Sequence, residues 1–205
     1  MKKLLICSIP MKKEVERTVY ASDDLSLPVS DKPYMYPINS FLSQKADDSD
    51  EYKVLLLVKN DGNPYYEKNA EDFKKELGDV FASVGAKAEF VMIDTEFSGE
   101  KEIPEQLMGR IVDEIEVGDH IMADITYGPK ELPIVIFSAL GFAEKFLECD
   151  IDNIVYGKAD FEDGKVVRTE IWDMSPLYYL SSVTNTIQCD DPEKARKMLK
   201  SLLSL

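Results

Sequence analysis

Short apolar runs and stretches of helical periodicity alternate along this chain. Residues 2–8, KKLLICS, and 53–58, KVLLLV, are continuous apolar runs of strand length, the pattern of strands buried on both faces of a parallel sheet. The second run ends in the turn-forming Asn60, Asp61, Gly62, Asn63 and Pro64. From 66 to 84 the apolar positions Phe73, Leu77, Val80, Phe81 and Val84 recur at helical spacing, and Gly85 supplies a stop. Residues 88–93, AEFVMI, predict a third strand. Pro104 near a first turn, with Leu107, Ile111 and Ile115 on one face, predicts a helix that ends near Gly118. Residues 120–126, HIMADIT, predict a fourth strand, and 129–147 the most apolar helix of the chain, opened by Pro129. Strands follow at 153–158 and 165–172, joined through Glu162, Asp163, Gly164 and Lys165 as a hairpin. A last helix after Asp191 and Pro192 gathers Ala195, Met198, Leu199 and Leu202 on one side, a face for packing.

Strands alternating with helices and closed by a hairpin predict an α/β fold. It is read as a Rossmann-like, mostly parallel sheet with helices on both faces and a C-terminal antiparallel hairpin. The 205 residues suffice for one domain with a full core and are tight for two. Residues 1–205 are therefore read as a single domain, with 176–205 as a C-terminal helical tail. Residues 21–50 form a polar, Pro- and Ser-rich insertion between strands one and two. That is far longer than the usual βα connection of roughly 2–6 residues. Within it Pro37 opens a short helix, and such an insertion is expected to cover a ligand edge or a partner.

Charge narrows the ligands. With 39 Asp and Glu against 24 Lys and Arg, the net charge of -15 repels polyphosphate chains, so duplex DNA or long RNA is not an expected partner. A small anion, held by backbone amides and a few local cations, remains possible. The three cysteines, Cys7, Cys149 and Cys189, form no CxxC pair, as in a reduced, cytoplasmic protein. No apolar run nears the roughly 20 residues of a membrane span, and none reads as an export signal, so no membrane partner is expected.

In doubly wound sheets ligands sit beyond the carboxyl ends of the strands. Four clusters occupy such positions: Cys7, Ser8, Ile9 and Pro10; Asn60, Asp61, Gly62 and Asn63; Asp94 and Thr95; and the run from Asp124 through Ile125, Thr126, Tyr127, Gly128 and Pro129 to Lys130. The last is the strongest, because a Gly permits close backbone approach and Pro129 is expected to open a helix whose free amides favour an anion. Lys130 would lie in that first turn, a poor place for a cation unless an anion is bound. The same residues also read as a plain turn, with Asp124 and Thr126 capping it and Lys130 solvated. Phosphate-loop, dinucleotide and zinc-protease motifs are absent from the sequence. The single His120 reads as structural, and no metal and no cofactor are expected. Tyr36 and Tyr127 border the expected cleft, while the other aromatics read as half-buried core. The helix after Pro129 carries Ile134, Val135, Ile136, Phe137, Ala139, Leu140 and Phe142 on more than one face, which predicts a homodimer through it.

The run Ala123-Asp124-Ile125-Thr126-Tyr127-Gly128-Pro129-Lys130-Glu131-Leu132-Pro133 resembles the "DITHGFRSLP" signature of CRISPR-associated Rossmann-fold (CARF) domains. Ile154-Val155-Tyr156-Gly157, with Ile171-Trp172-Asp173-Met174-Ser175-Pro176-Leu177 after the hairpin, resembles that family's close, and Tyr36-Pro37-Ile38-Asn39 the segment after its first strand. The chain departs from the pattern at Tyr127, where His is frequent, and at Glu131, where a small or hydroxyl residue is common. The resemblance implies a cytoplasmic homodimer that binds a cyclic oligoadenylate second messenger of type III CRISPR antiviral defence, cyclic tetra-adenylate above all. By carry-over, Ser8, Ile9, Thr126, Tyr127, Gly128, Pro129 and Lys130 line its pocket, with Asn60, Asp61 and Gly62 as further candidates. It implies either a stand-alone domain or the sensory part of a longer protein and, as in some stand-alone relatives, a ring nuclease that cuts the ligand without metal to leave a 2′,3′-cyclic phosphate, with Lys130 and Ser8 as catalytic residues. A non-catalytic sensor or sink for the same ligand, and a generic nucleotide-binding Rossmann-like protein, remain open readings.

Overall fold

The computed structural model describes residues 2–97, 100 and 102–203. The apolar runs form six strands: β1 (Lys2–Ser8), β2 (Glu51–Lys59), β3 (Lys87–Thr95), β4 (His120–Asp124), β5 (Asp150–Glu162) and β6 (Lys165–Asp173). They make one sheet in the order β3-β2-β1-β4-β5-β6. The first four pairings are parallel and β5–β6 is antiparallel. That order is a doubly wound one, in which the chain leaves β1 toward β2 and returns to the other side of β1 as β4. The β5–β6 hairpin closes on Asp163 (φ 49°) and Gly164 (φ 76°), two consecutive left-handed residues as a type I′ turn requires.

Two cores follow from the period-2 alternation of the strands. On one face Leu4, Ile6, Leu55, Leu57, Ile121 and Ala123 meet α3 (Glu102–Asp113) and α4 (Leu132–Phe146), joined by Tyr178 of α5 (Ser175–Thr186). On the other, Leu5, Cys7, Val54, Leu56 and Met122 meet α1 (Pro37–Lys45) and α2 (Pro64–Val84). Each Leu or Phe fully buried there contributes about 1.5–3 kcal/mol. A final helix, α6 (Pro192–Leu202), has no buried residue. No helix among the described residues is long and apolar enough to cross a membrane.

The insertion is a strap. It leaves β1 already at Ile9 and reaches α1 at Pro37. The strap buries Tyr20 and Leu27 and touches the sheet edge where Ala21 bridges Glu170. Its end is clamped by Glu76 of α2, whose buried carboxylate accepts from Met35 N–H (3.1 Å), Tyr36 N–H (3.3 Å) and Asn39 Nδ2 (3.0 Å) and pairs with Arg17 (3.1 Å). The strap therefore covers the α1/α2 face. Helix α5, unforeseen as a separate element within the tail, starts where Asp173 accepts from the Ser175 N–H and hydroxyl. It docks through Tyr178, whose hydroxyl meets Glu144 at 2.8 Å.

Candidate anion site at the end of strands one and four

The switch point falls between β1 and β4, and the loop 125–131 rises from it. One expectation is corrected here: α4 begins at Leu132, with Pro133 in its first turn, so Pro129 and Lys130 precede the helix. The first amides of α4 are already used, Leu132 N–H by the Pro129 carbonyl (3.0 Å) and Ile134 N–H by the Glu131 carbonyl (3.0 Å). Among the described residues the loop amides of Tyr127, Gly128, Lys130 and Glu131 have no acceptor. Successive free amides in a tight turn form an anion-binding concavity without a helix dipole.

Gly128 shapes this loop. Its φ of 99° is left-handed, and a Cβ there would stand 2.7 Å from Ser8 Oγ and 2.6 Å from Leu132 Cδ2. Ser8 continues the parity of Leu4 and Ile6, so it faces α4 from the end of β1. It is 2 % exposed, and its hydroxyl has no hydrogen-bond partner in the protein. A buried, unpaired hydroxyl costs about 1–3 kcal/mol, a deficit that a ligand oxygen or a water can relieve. Lys130 is exposed and has no ion-pair partner among the described residues. Glu131, also exposed, places one carboxylate at the same loop.

The other expected residues divide sharply. Thr126 is structural: its N–H donates to Asp124 (2.8 Å) and its hydroxyl accepts from Gly157 N–H (2.8 Å). Tyr127 packs edge-on against Tyr36 (6.3 Å), under Lys12, whose ammonium lies 5.9 Å from the ring centre. Lys12, exposed, is the cation that the sequence reading passed over; its signal was the Lys12-Lys13 pair soon after β1. Ile9 is 1 % exposed, its N–H bonded to the Leu57 carbonyl, because it follows Leu5 and Cys7 onto the α1/α2 face. Tyr36 is equally buried, edge-on to Phe73 at 4.8 Å with its hydroxyl on the Asn69 carbonyl at 2.7 Å. Neither offers a side chain to a ligand. Asn60 lines a separate cleft of about 430 Å³ with Thr95 and Arg110 beyond β3. Asp61 pairs with Lys59 (2.9 Å), and Gly62 (φ 79°) turns the same loop.

Asp124 is the buried acid of the switch point. Burial pushes its carboxyl up to about 6, against hydrogen bonds from Thr126 and from the Ile38 backbone that favour the charged form. It thereby supplies the acceptor that Tyr36, at the N-cap of α1, does not. Its parity, shared with Met122, turns it to the α1/α2 side, away from Ser8. No group of three or more metal-ligating side chains is found among the described residues. No protein-family model matches the chain, and no curated protein matches it.

Proposed function

We propose that this chain binds a cyclic oligoadenylate, cyclic tetra-adenylate in the first instance, at the loop 128–131. One observation carries the reading: the orphaned Ser8 hydroxyl lies directly against Gly128, in a loop whose amides have no acceptor among the described residues and which carries the exposed, unpaired Lys130. Such a set suits a phosphate oxygen, and it coincides with the segment that resembles the CARF signature. In this reading a homodimer related about α4 adds a second copy of the loop, so that a ring of phosphates meets two such cradles. The exposed Ile134 and Phe146 of α4 support that arrangement.

In the catalytic form of the proposal the ligand's ribose 2′-hydroxyl attacks the adjacent phosphorus. The O2′–P bond forms as the P–O5′ bond breaks, the 2′ proton leaves, and the 5′ oxygen gains one. Lys130 and Ser8 would stabilise charge on the phosphoryl oxygens. Binding without cleavage is the second reading, and a specific observation favours it: Asp124, the acid shifted toward neutrality at this edge, faces the other layer and cannot take the 2′ proton beside Ser8.

The test is to incubate the protein with cyclic tetra-adenylate in excess chelator and to resolve free, bound and cut ligand by chromatography over time. Linear product ending in a 2′,3′-cyclic phosphate identifies a metal-independent ring nuclease. Retention of intact ring identifies a sensor or sink, and no retention of tetra- or hexa-adenylate rings overturns the proposal in favour of a generic nucleotide site.

A further inference from the structure

Helix α6 contradicts the charge of the molecule that carries it. It holds Lys194, Arg196, Lys197 and Lys200 against the single Glu193, whereas the rest of the chain has 38 carboxylates against 20 Lys and Arg. Its other side is an apolar stripe of Met198, Leu199 and Leu202, each more than a third exposed, continued by Leu203 at 63 %. An isolated helix of 11 residues is marginal in water. This one also leaves every apolar residue without a core to enter.

A surface of matching chemistry lies beside β6. A cleft of about 710 Å³ is lined by Asp23, Asp24, Leu25, Glu170, Trp172 and Asp173. Leu25 is 99 % exposed and Trp172 is 45 % exposed, an apolar floor among four carboxylates. Asp23 has no partner among the described residues. Asp24 and Asp173 accept from Ser26 and Ser175, and Glu170 is shared with Lys158 (3.7 Å) and Arg168. We infer that α6 of one copy docks in the β6 cleft of a second copy. Leu199 and Leu202 would lie on Leu25 and Trp172, and Lys194 and Arg196, which flank the apolar stripe at helical spacing, would face Asp23 and Asp24. Two such contacts, each chain lending its helix to the other, close as a two-fold dimer. The inference is independent of the ligand site.

Sedimentation velocity of the full chain across micromolar concentrations tests it. Without ligand the native chain is expected to associate through α6, and Leu199→Asp with Leu202→Asp to lose that step, falling to monomer or, where α4 also pairs, to the α4 dimer, with the monomer fold retained by circular dichroism since these side chains enter no core. Lys194→Glu with Arg196→Glu, and separately Asp23→Lys with Leu25→Lys, each raise the Kd of that step by about tenfold or more. An equimolar mixture of those two charge-reversed chains restores dimers, because one then carries the acidic helix and the other the basic cleft. A native chain that stays monomeric, whether α6 is free or folded onto its own cleft, overturns the inference. So does a dimer indifferent to the α6 changes, which would leave the α4 interface of the ligand reading standing, or a mixture that fails to re-associate.

Discussion

Gly128 carries the geometry of the candidate site, because its left-handed φ strains any other residue and a side chain there would push against Ser8 and Leu132. Gly128→Ala is expected to cost about 1–3 kcal/mol in a urea titration through backbone strain and the clash with Ser8 and Leu132. It should also abolish retention of cyclic tetra-adenylate in equilibrium dialysis. Lys130→Ala is the complementary change: exposed and unpaired, it should leave stability within about 0.5 kcal/mol while raising the ligand Kd by about tenfold, the equivalent of 1.4 kcal/mol. Unaltered affinity in that variant would remove Lys130 from the site. The places of Ser8 and Gly128 in the fold were legible in the sequence, Ser8 because it closes the apolar run of β1 and Gly128 because a loop that turns with a left-handed φ calls for glycine. Ile9 could have been placed by parity alone, since it continues Leu5 and Cys7 rather than Leu4, Ile6 and Ser8. The burial of Tyr36 was not legible, because it depends on Glu76 and Asn69 reaching it from another helix.

At the level of elements, the strap is held by one carboxylate. Glu76→Ala would strand the amides of Met35, Tyr36 and Asn39 in a buried setting, at about 2–4 kcal/mol of stability in urea unfolding. The residues before α1 should then become cleavable in limited proteolysis mapped by mass spectrometry. Arg17→Ala, which removes the exposed member of that cluster, should cost about 1 kcal/mol or less. Proteolysis of Glu76→Ala no faster than that of the native chain would show that the strap is held by its apolar residues instead. The strands and α2 could be read from periodicity, whereas the start of α4 could not. Two prolines, Pro129 and Pro133, both suit a first turn, and packing of Leu132 against Gly128 decides for the second. The bounds of helix α5 within the expected helical tail were not legible for a related reason: Ser, Thr and Val favour a helix little, and the Asp173 carboxylate at its start and the docking of Tyr178 and Tyr179 supply what propensity does not.

For the whole molecule the buried charge at Asp124 sets a pH dependence opposite to that of an ordinary carboxylate. Its folded value of about 6 lies above the unfolded 3.8, so between those values the folded state binds the extra proton. Stability on this account falls as pH rises from about 4 to 6 and is then level, the full difference being about 3 kcal/mol at 1.36 kcal/mol for each pH unit. Other carboxylates act the opposite way. Hydrogen bonds from Ser26 lower Asp24, those from Ser49 lower Asp47, and Lys59 and Lys2 lower Asp61 and Glu116, so their contributions are lost on acidification. The net curve of the native chain therefore hides Asp124, and the informative quantity is its difference from Asp124→Asn, measured by urea unfolding from pH 4 to 7.5. Asparagine keeps one acceptor for the Ile38 and Thr126 amides and carries no charge at any pH. The variant should gain on the native chain by up to about 3 kcal/mol between pH 4 and pH 7. A difference that stays flat would mean that Asp124 is ionised throughout, and that the N-terminus of α1 holds its charge against burial.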